Sequence, residues 1–480
     1  MFGSDPLLYP TLDPAMQSFI RVAYGILQLL TLLSAVPHAR RYFLTDRWGG
    51  YAQSSRWTDA VQNPIVSPVL LAVWIGTAIA LIAGWWVVPA AAVNLLLCHY
   101  FFIRMRWRAV LRGMGAPGFI AYWLGAAVFF LELTARHAPA LHGVALFALQ
   151  VDFALIMVTA GLYKLAAGYR AGAGMELGMA NPEWGYWAAR WRHWPPRHVL
   201  FTVLDEMAWG TEVFAGLLML VPATRFIGGM AMLLSFAFIA TQIRLGFLCE
   251  MVMVCCLIFV PASFGHAGGV AAGPLLPGAA QMALAVFFWG YLALLPVARA
   301  AMFYNQLAHR ALPAPLQRAL DIYTNWFGLI LWRVFSADVT NFFVRIWEER
   351  SGSTRRLVTE FEGFPWTRRF RQVAECIALT SIFTTRRYYP SNRALFDERL
   401  LRYARTIPHA PGSRLVFEWV NVARAADRFD FVPAAEYSVD VNAGVIEELT
   451  LSHTVRVDAP AAGSPVHEGV RPGSYVPLSR

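Results

Sequence analysis

The sequence has almost no lysine. Of its 40 basic residues 39 are arginine and one is Lys164. Arginine stays protonated under all ordinary conditions, whereas a lysine whose charge is desolvated can become a base at neutral pH. Charge of either sign is also scarce, at 15% of residues, where a soluble domain carries about 25%. The five cysteines, Cys98, Cys249, Cys255, Cys256 and Cys376, form no C-x-x-C and no cysteine–histidine spacing. Neither a disulfide framework nor a zinc site is therefore implied. No histidine pair has haem or metal spacing, so neither a haem nor a metal is expected. The opening "MFGSDPLLYPTLDP" lacks the positively charged start of a cleaved signal, and the first apolar helix is expected to direct insertion.

What is abundant is apolar surface, with 57% of residues hydrophobic. The expected fold is an all-α polytopic membrane bundle of about nine transmembrane helices with a small α+β C-terminal region. The spans are expected near 19–37, 67–86, 87–103, 119–134, 143–168, 199–221, 225–243, 245–262 and 278–304. Residues 1–305 form the membrane domain. Residues 306–457 hold an interfacial helix over 322–335, "IYTNWFGLILWRVF", and the α+β domain, and 458–480 read as a disordered tail. Strands are expected in "VTNFFVRIWEE", "TRRLVTEF", "SRLVFEWVNVA", "RFDFVPAAEYSVD" and "GVIEELTLS", with helices around 366–382 and 392–406.

Arginine is concentrated in alternate loops, at Arg40, Arg41, Arg47 and Arg56, then Arg104, Arg106, Arg108 and Arg112, then Arg170, Arg190, Arg192 and Arg197. The positive-inside rule places these loops and the C-terminal region in the cytoplasm, with the bundle in the inner (cytoplasmic) membrane. The net charge of +10 is read as meeting anionic lipid, since no nucleic-acid-binding module is visible.

Lys164 lies in the apolar run "TAGLYKLAAG". Its helical neighbours at i±3 and i±4 are Ala160, Gly161, Ala167 and Gly168, all small, as at an interface that another helix or a ligand approaches closely. Two readings follow. Lys164 is a buried general base, with Gly161 leaving room for substrate; or it snorkels to the headgroups or forms a fixed ion pair. Candidate acids are Asp205 and Glu212, seven residues apart on one helix face, with Glu206 beside them. Asp152 is on the lysine's own helix but about 18 Å along it, and Glu132 and Glu250 stand in other spans. The loop "ELGMANPEWGYWAARWRHWPPR" carries Trp184, Trp187, Trp191 and Trp194, read either as an interfacial belt or as a lid in which Trp184 covers an apolar ligand.

Three segments carry a family resemblance. "VTAGLYKLAAGYRAGAGMELGM" resembles the glycine–lysine–leucine helix and following loop of the vitamin K-dependent γ-carboxylase family, also called the HTTM domain. "DPAMQSFIRVAYGILQLLTLLSAVPHARRYF" looks like that family's opening helix, and "TQIRLGFLCEMVMVCCLIFVP" is similar to its late, Met-rich helix. The resemblance covers roughly 13–305. It implies that Lys164 deprotonates a reduced, vitamin K-like quinone whose oxidation drives epoxide formation and glutamate carboxylation. Between the third and fourth spans the carboxylases have an asparagine–asparagine–histidine stretch; this chain has "RMRWRAVLRGMGAPG", which resembles the bacterial branch.

Two other functions compete with quinol-dependent base chemistry. One is a non-catalytic membrane component that binds lipid, or a protein partner through its C-terminal domain. The other is a subunit similar to DoxX-like quinone oxidoreductases.

Overall fold

The computed structural model describes residues 10–105, 115–171, 174–262, 273–308, 312–330, 332, 340–350, 355–359, 369–388 and 391–449. The expected tail 458–480, most of the "RMRWRAVLRGMGAPG" stretch, and residues 351–353 between the first two expected strands lie outside these residues. The chain is mostly helical and ends in a small antiparallel sheet.

Helix α1 (Pro14–Ala35) starts where Asp13 accepts hydrogen bonds from the Ala15 and Met16 N–H groups, with proline in the first turn. The short α2 (Ala39–Phe43) and α3 (Arg56–Val61) lead into α4 (Val66–Ala83) and α5 (Val87–Cys98). The turn between the latter two sits at Gly84 and Trp86, both with positive φ. A π-helical turn, His99–Arg104, extends α5. Next come α6 (Gly115–His137), α7 (His142–Ala166), α8 (Met175–Ala180), α9 (Ala188–Trp191), α10 (Val199–Leu220), α11 (Arg225–Gln242), α12 (Leu248–Cys256), α13 (Gly278–Ala308) and α14 (Ala314–Phe327).

Seven stretches among the described residues are helical, long and apolar enough to cross a membrane. Two of the nine expected spans do not meet that standard. Helix α10 is long enough but carries Asp205, Glu206 and Glu212. The expected 245–262 span is helical only over Leu248–Phe259, about 18 Å of rise. The expected interfacial helix is also displaced. It runs from Ala314 and stops at Gly328, whose φ of +64° gives a left-handed cap and lets Leu329 N–H reach the Thr324 carbonyl at 2.9 Å. The π-helical end of α5 holds this helix through His99 Nε2 and the Trp326 carbonyl, 3.0 Å apart.

The C-terminal region builds strands β1 (Phe342–Glu349), β2 (Arg355–Leu357), β3 (Arg414–Arg424), β4 (Phe429–Asp440) and β5 (Val445–Leu449) in the order β2-β1-β3-β4-β5, every pair antiparallel. Buried and less buried residues alternate along much of β1 and β3, as a sheet covered on one face requires. Helices Arg369–Tyr388 and Arg393–Ala404 supply that cover, with Phe383 and Phe396 packed on Tyr437.

This unit is tied to two loops of the helical part. Asn181 donates to the Thr340 and Phe342 carbonyls, both at 2.8 Å, and Phe429 N–H donates to the Arg192 carbonyl. Arg41 pairs with Glu375, which also accepts from Tyr403. The segment 174–185 between α7 and α10 is buried along its whole length.

Candidate functional site

Helices α7 and α10 approach each other through glycine. A Cβ on Gly161 would stand 2.6 Å from the Trp209 carbonyl oxygen and 2.9 Å from Val213 N. One on Gly216 would stand 3.0 Å from the Ala154 carbonyl oxygen. Each helix therefore uses its missing side chain to seat the other's backbone. Gly161 was expected to leave room for substrate, and in the structure that room is occupied by α10.

The close crossing brings Lys164 to Glu212. Nζ lies 2.5 Å from Oε1, and the two side chains are 3% and 4% exposed. The ammonium does not reach outward, which removes the snorkelling reading. Among the described residues Glu212 Oε2, which is buried, has no hydrogen-bond partner, a costly state for a carboxylate oxygen. Tyr169, just beyond the end of α7, places its ring centroid 5.9 Å from Nζ and is fully buried.

The other sequence candidates go elsewhere. Asp205 shares a helix with Glu212 but not its partner. Its Oδ1 accepts from Met175 N–H at 2.6 Å, and its carboxyl lies beside that of Glu176. The 100° turn per residue explains the separation, because seven residues bring two side chains to one face but about 10 Å apart. Trp184 was expected over a ligand. It is instead a core residue, 4% exposed, whose carbonyl accepts from Arg244 N–H at 2.7 Å. Among the described residues no hydrogen bond or ring contact joins Trp184 to Lys164 or Glu212. Trp191 and Trp194 pack on Phe201, and Trp187 is exposed, so the four tryptophans form neither one belt nor one lid.

No family model, curated protein or solved structure matches this chain. The site has to be read from its own geometry.

Two features escaped the sequence reading. Glu176, in the "GMELGM" run, is fully buried and accepts from Arg424 of β3 at 2.7 Å; an acid inside a glycine–methionine run is the signal that could have found it. The second is Asp152, set aside above as too distant from Lys164. It gathers Trp123 Nε1 at 2.9 Å, the Tyr291 hydroxyl at 2.8 Å and Arg299 Nη2 at 2.7 Å, fastening α13 to α6 and α7. Both of its oxygens are satisfied, as befits an anchor. Among the described residues no three His, Cys, Asp or Glu side chains gather in a way that could hold a metal ion.

Proposed function

We propose that this is a multi-pass protein of the cytoplasmic membrane in which Lys164 and Glu212 form a buried acid–base pair acting on an apolar hydroxyl compound of the reduced-quinone class. The observation that carries this reading is the enclosed 2.5 Å contact together with the unpartnered Glu212 Oε2. In a pair so close a proton passes readily between the amine and the carboxylate. A substrate hydroxyl fits Oε2 as the missing donor. When the pair takes that proton it becomes an ammonium beside a neutral carboxyl, leaving the cation of Lys164 to face the oxyanion. Arginine has no neutral form to begin from. A bound quinol supplies the reducing power; the chain supplies the base, its orientation and the exclusion of water. The likeness of the lysine motif to the γ-carboxylase family supports the same role for Lys164 and the same substrate class.

Membrane embedding is supported by the seven apolar helices and by their outward residues, such as Phe19, Val69, Leu234, Met282 and Val286, which are large and exposed. Orientation is supported by which loops meet. The loop after α1 and the loop after α7 both touch the C-terminal unit, through Arg41–Glu375 and Arg424–Glu176. An even number of crossings must then separate them from it, which fits a total of nine or of seven. The arginine in these loops assigns that side to the cytoplasm.

The test uses the full-length protein in phospholipid vesicles with a short-chain reduced naphthoquinone, following its oxygen-dependent oxidation. Lys164→Arg is expected to abolish the protein-dependent rate as completely as Lys164→Ala. An arginine variant with full activity ends the base role. A second reading, a fixed structural ion pair in a non-catalytic scaffold, is favoured by the burial of both charges, and under it arginine substitutes at little cost. Lipid extraction of the purified protein provides a separate check, since the first reading expects a co-purifying quinone.

A further inference from the structure

The C-terminal sheet reaches the lysine site through one short loop. Beyond α7 the chain turns at Gly168, whose φ is +94°, and lays the buried Tyr169 ring 5.9 Å from Lys164 Nζ. Gly174 backs that ring. A Cβ there would stand 2.7 Å from Tyr169 Cδ1 and 2.5 Å from Asp205 Oδ1, so the glycine is wedged between the phenol ring and α10. Three hydrogen bonds fix the wedge. Met175 N–H donates to Asp205 Oδ1 at 2.6 Å, Gly174 N–H to Glu176 Oε2 at 3.1 Å, and Arg424 Nη2 to Glu176 Oε1 at 2.7 Å. The Glu176 carboxylate thus binds the loop with one oxygen and the sheet with the other. Its side chain is 1% exposed, and among the described residues Arg424 is the cation paired with it. Arg424 stands opposite Phe429 at the end of the β3–β4 hairpin. Phe429 holds that same end to the helices, through the Arg192 carbonyl and an edge-on contact with Phe201 of α10.

We propose that Arg424 and Glu176 are positioning residues for the lysine site: they lock the loop at Gly174 so that the Tyr169 ring stays over Lys164 and water stays out. This rests on the acid–base role argued above, in which a dry, enclosed pair is what lets the amine lose its charge. Neither residue touches Nζ. Without Arg424 the Glu176 carboxylate is enclosed with no cation, a state relieved by turning outward to water. That movement takes the acceptor away from Gly174 N–H and frees the loop that backs the Tyr169 ring. The site is therefore complete only while the C-terminal unit is docked. The sheet takes part in the chemistry although it contributes no reacting group.

Because Lys164 is the single lysine of the sequence, amine acetylation reads its shielding directly, with no turnover needed. The full-length protein in detergent is treated briefly with acetic anhydride, and modification of the Lys164 peptide is followed by mass spectrometry. Arg424→Ala is expected to raise the rate at least about tenfold, the factor of one lost hydrogen bond to a charged group, and to lower the protein-dependent quinol oxidation with it. Arg424→Lys keeps a cation at the hairpin and should restore both, its new amine lying on a separate peptide. Arg428→Ala removes an exposed arginine of the same hairpin, paired with Asp430, and should change neither. The double variant Arg424→Ala/Glu176→Gln removes the charge that the single variant strands. It is expected to label as fast as Arg424→Ala, and it carries the test should that variant fail to fold. Wild-type protection in both overturns the positioning role and leaves the base role standing, as does labelling of Arg428→Ala equal to that of Arg424→Ala. A wild-type protein that shields Lys164 yet oxidises no quinol overturns the base role, and with it the catalytic half of this inference.

Discussion

Lys164 and Glu212 illustrate how a buried pair is unforgiving of single changes. Removing one partner leaves the other charge enclosed, which costs about 3–5 kcal/mol. Glu212→Gln and Lys164→Met are therefore each expected to lower the thermal midpoint sharply in detergent. The double variant Lys164→Met/Glu212→Leu should recover most of the loss while remaining inactive. A double variant no more stable than the singles would mean that the pair contributes more than mutual neutralisation. Gly161 offers a second residue-scale prediction. Any side chain there meets the backbone of Trp209 and Val213, which cannot rotate away. Gly161→Ala is expected to cost about 1–3 kcal/mol and to part Lys164 from Glu212, read as a lowered thermal midpoint together with loss of the protein-dependent quinol oxidation.

Among the elements, α8 and the turn after it join the two halves. Asn181 spends both side-chain N–H groups on carbonyls at the start of β1. Asn181→Ala leaves those carbonyls without donors, a loss of about 1–3 kcal/mol. It is expected to raise hydrogen exchange in Phe342–Glu349 before any change in α7 or α10; equal exchange in the variant would show that β1 is held by its own ladder. The sheet itself was legible in advance, since all five expected strands are found, β1, β3 and β4 close to their expected bounds and β2 confined to Arg355–Leu357. The interfacial helix was misplaced because its aromatic run suggested continuity, whereas Gly328 ends the helix within that run.

At the scale of the whole molecule, the seam between helices and sheet contains Glu183, fully buried beside Cys376. Burial pushes its carboxyl up to about 8 from the ordinary 4.5, with the Cys376 hydrogen bond pulling the other way. A raised acid favours the folded state while it is neutral. Its contribution is complete below about pH 4.5, declines as the pH rises, and is gone above about pH 8. Melting of the C-terminal unit should therefore shift downward across that window, and Glu183→Gln should flatten the shift. The orientation can be read from the same unit. Cys376 is buried and will not report on it, but Val445 is 48% exposed on β5. A Val445→Cys protein is expected to react with an impermeant thiol reagent only after cells are opened.

Hydrophobic runs determined where the helices lie, and period-two alternation determined the strands, because both record local burial along one element. The same local logic marked Lys164 as enclosed, through four small neighbours on its helix face. Which acid meets it was not local. Asp205, Glu206 and Glu212 were all within reach of some packing, and the choice fell to the α7–α10 crossing, set by glycines on both helices. Tertiary structure likewise delivered Arg424 from β3 to Glu176, some 250 residues earlier in the chain. Side-chain pairing across elements depends on angle and depth of approach, and those exist only once the helices have packed.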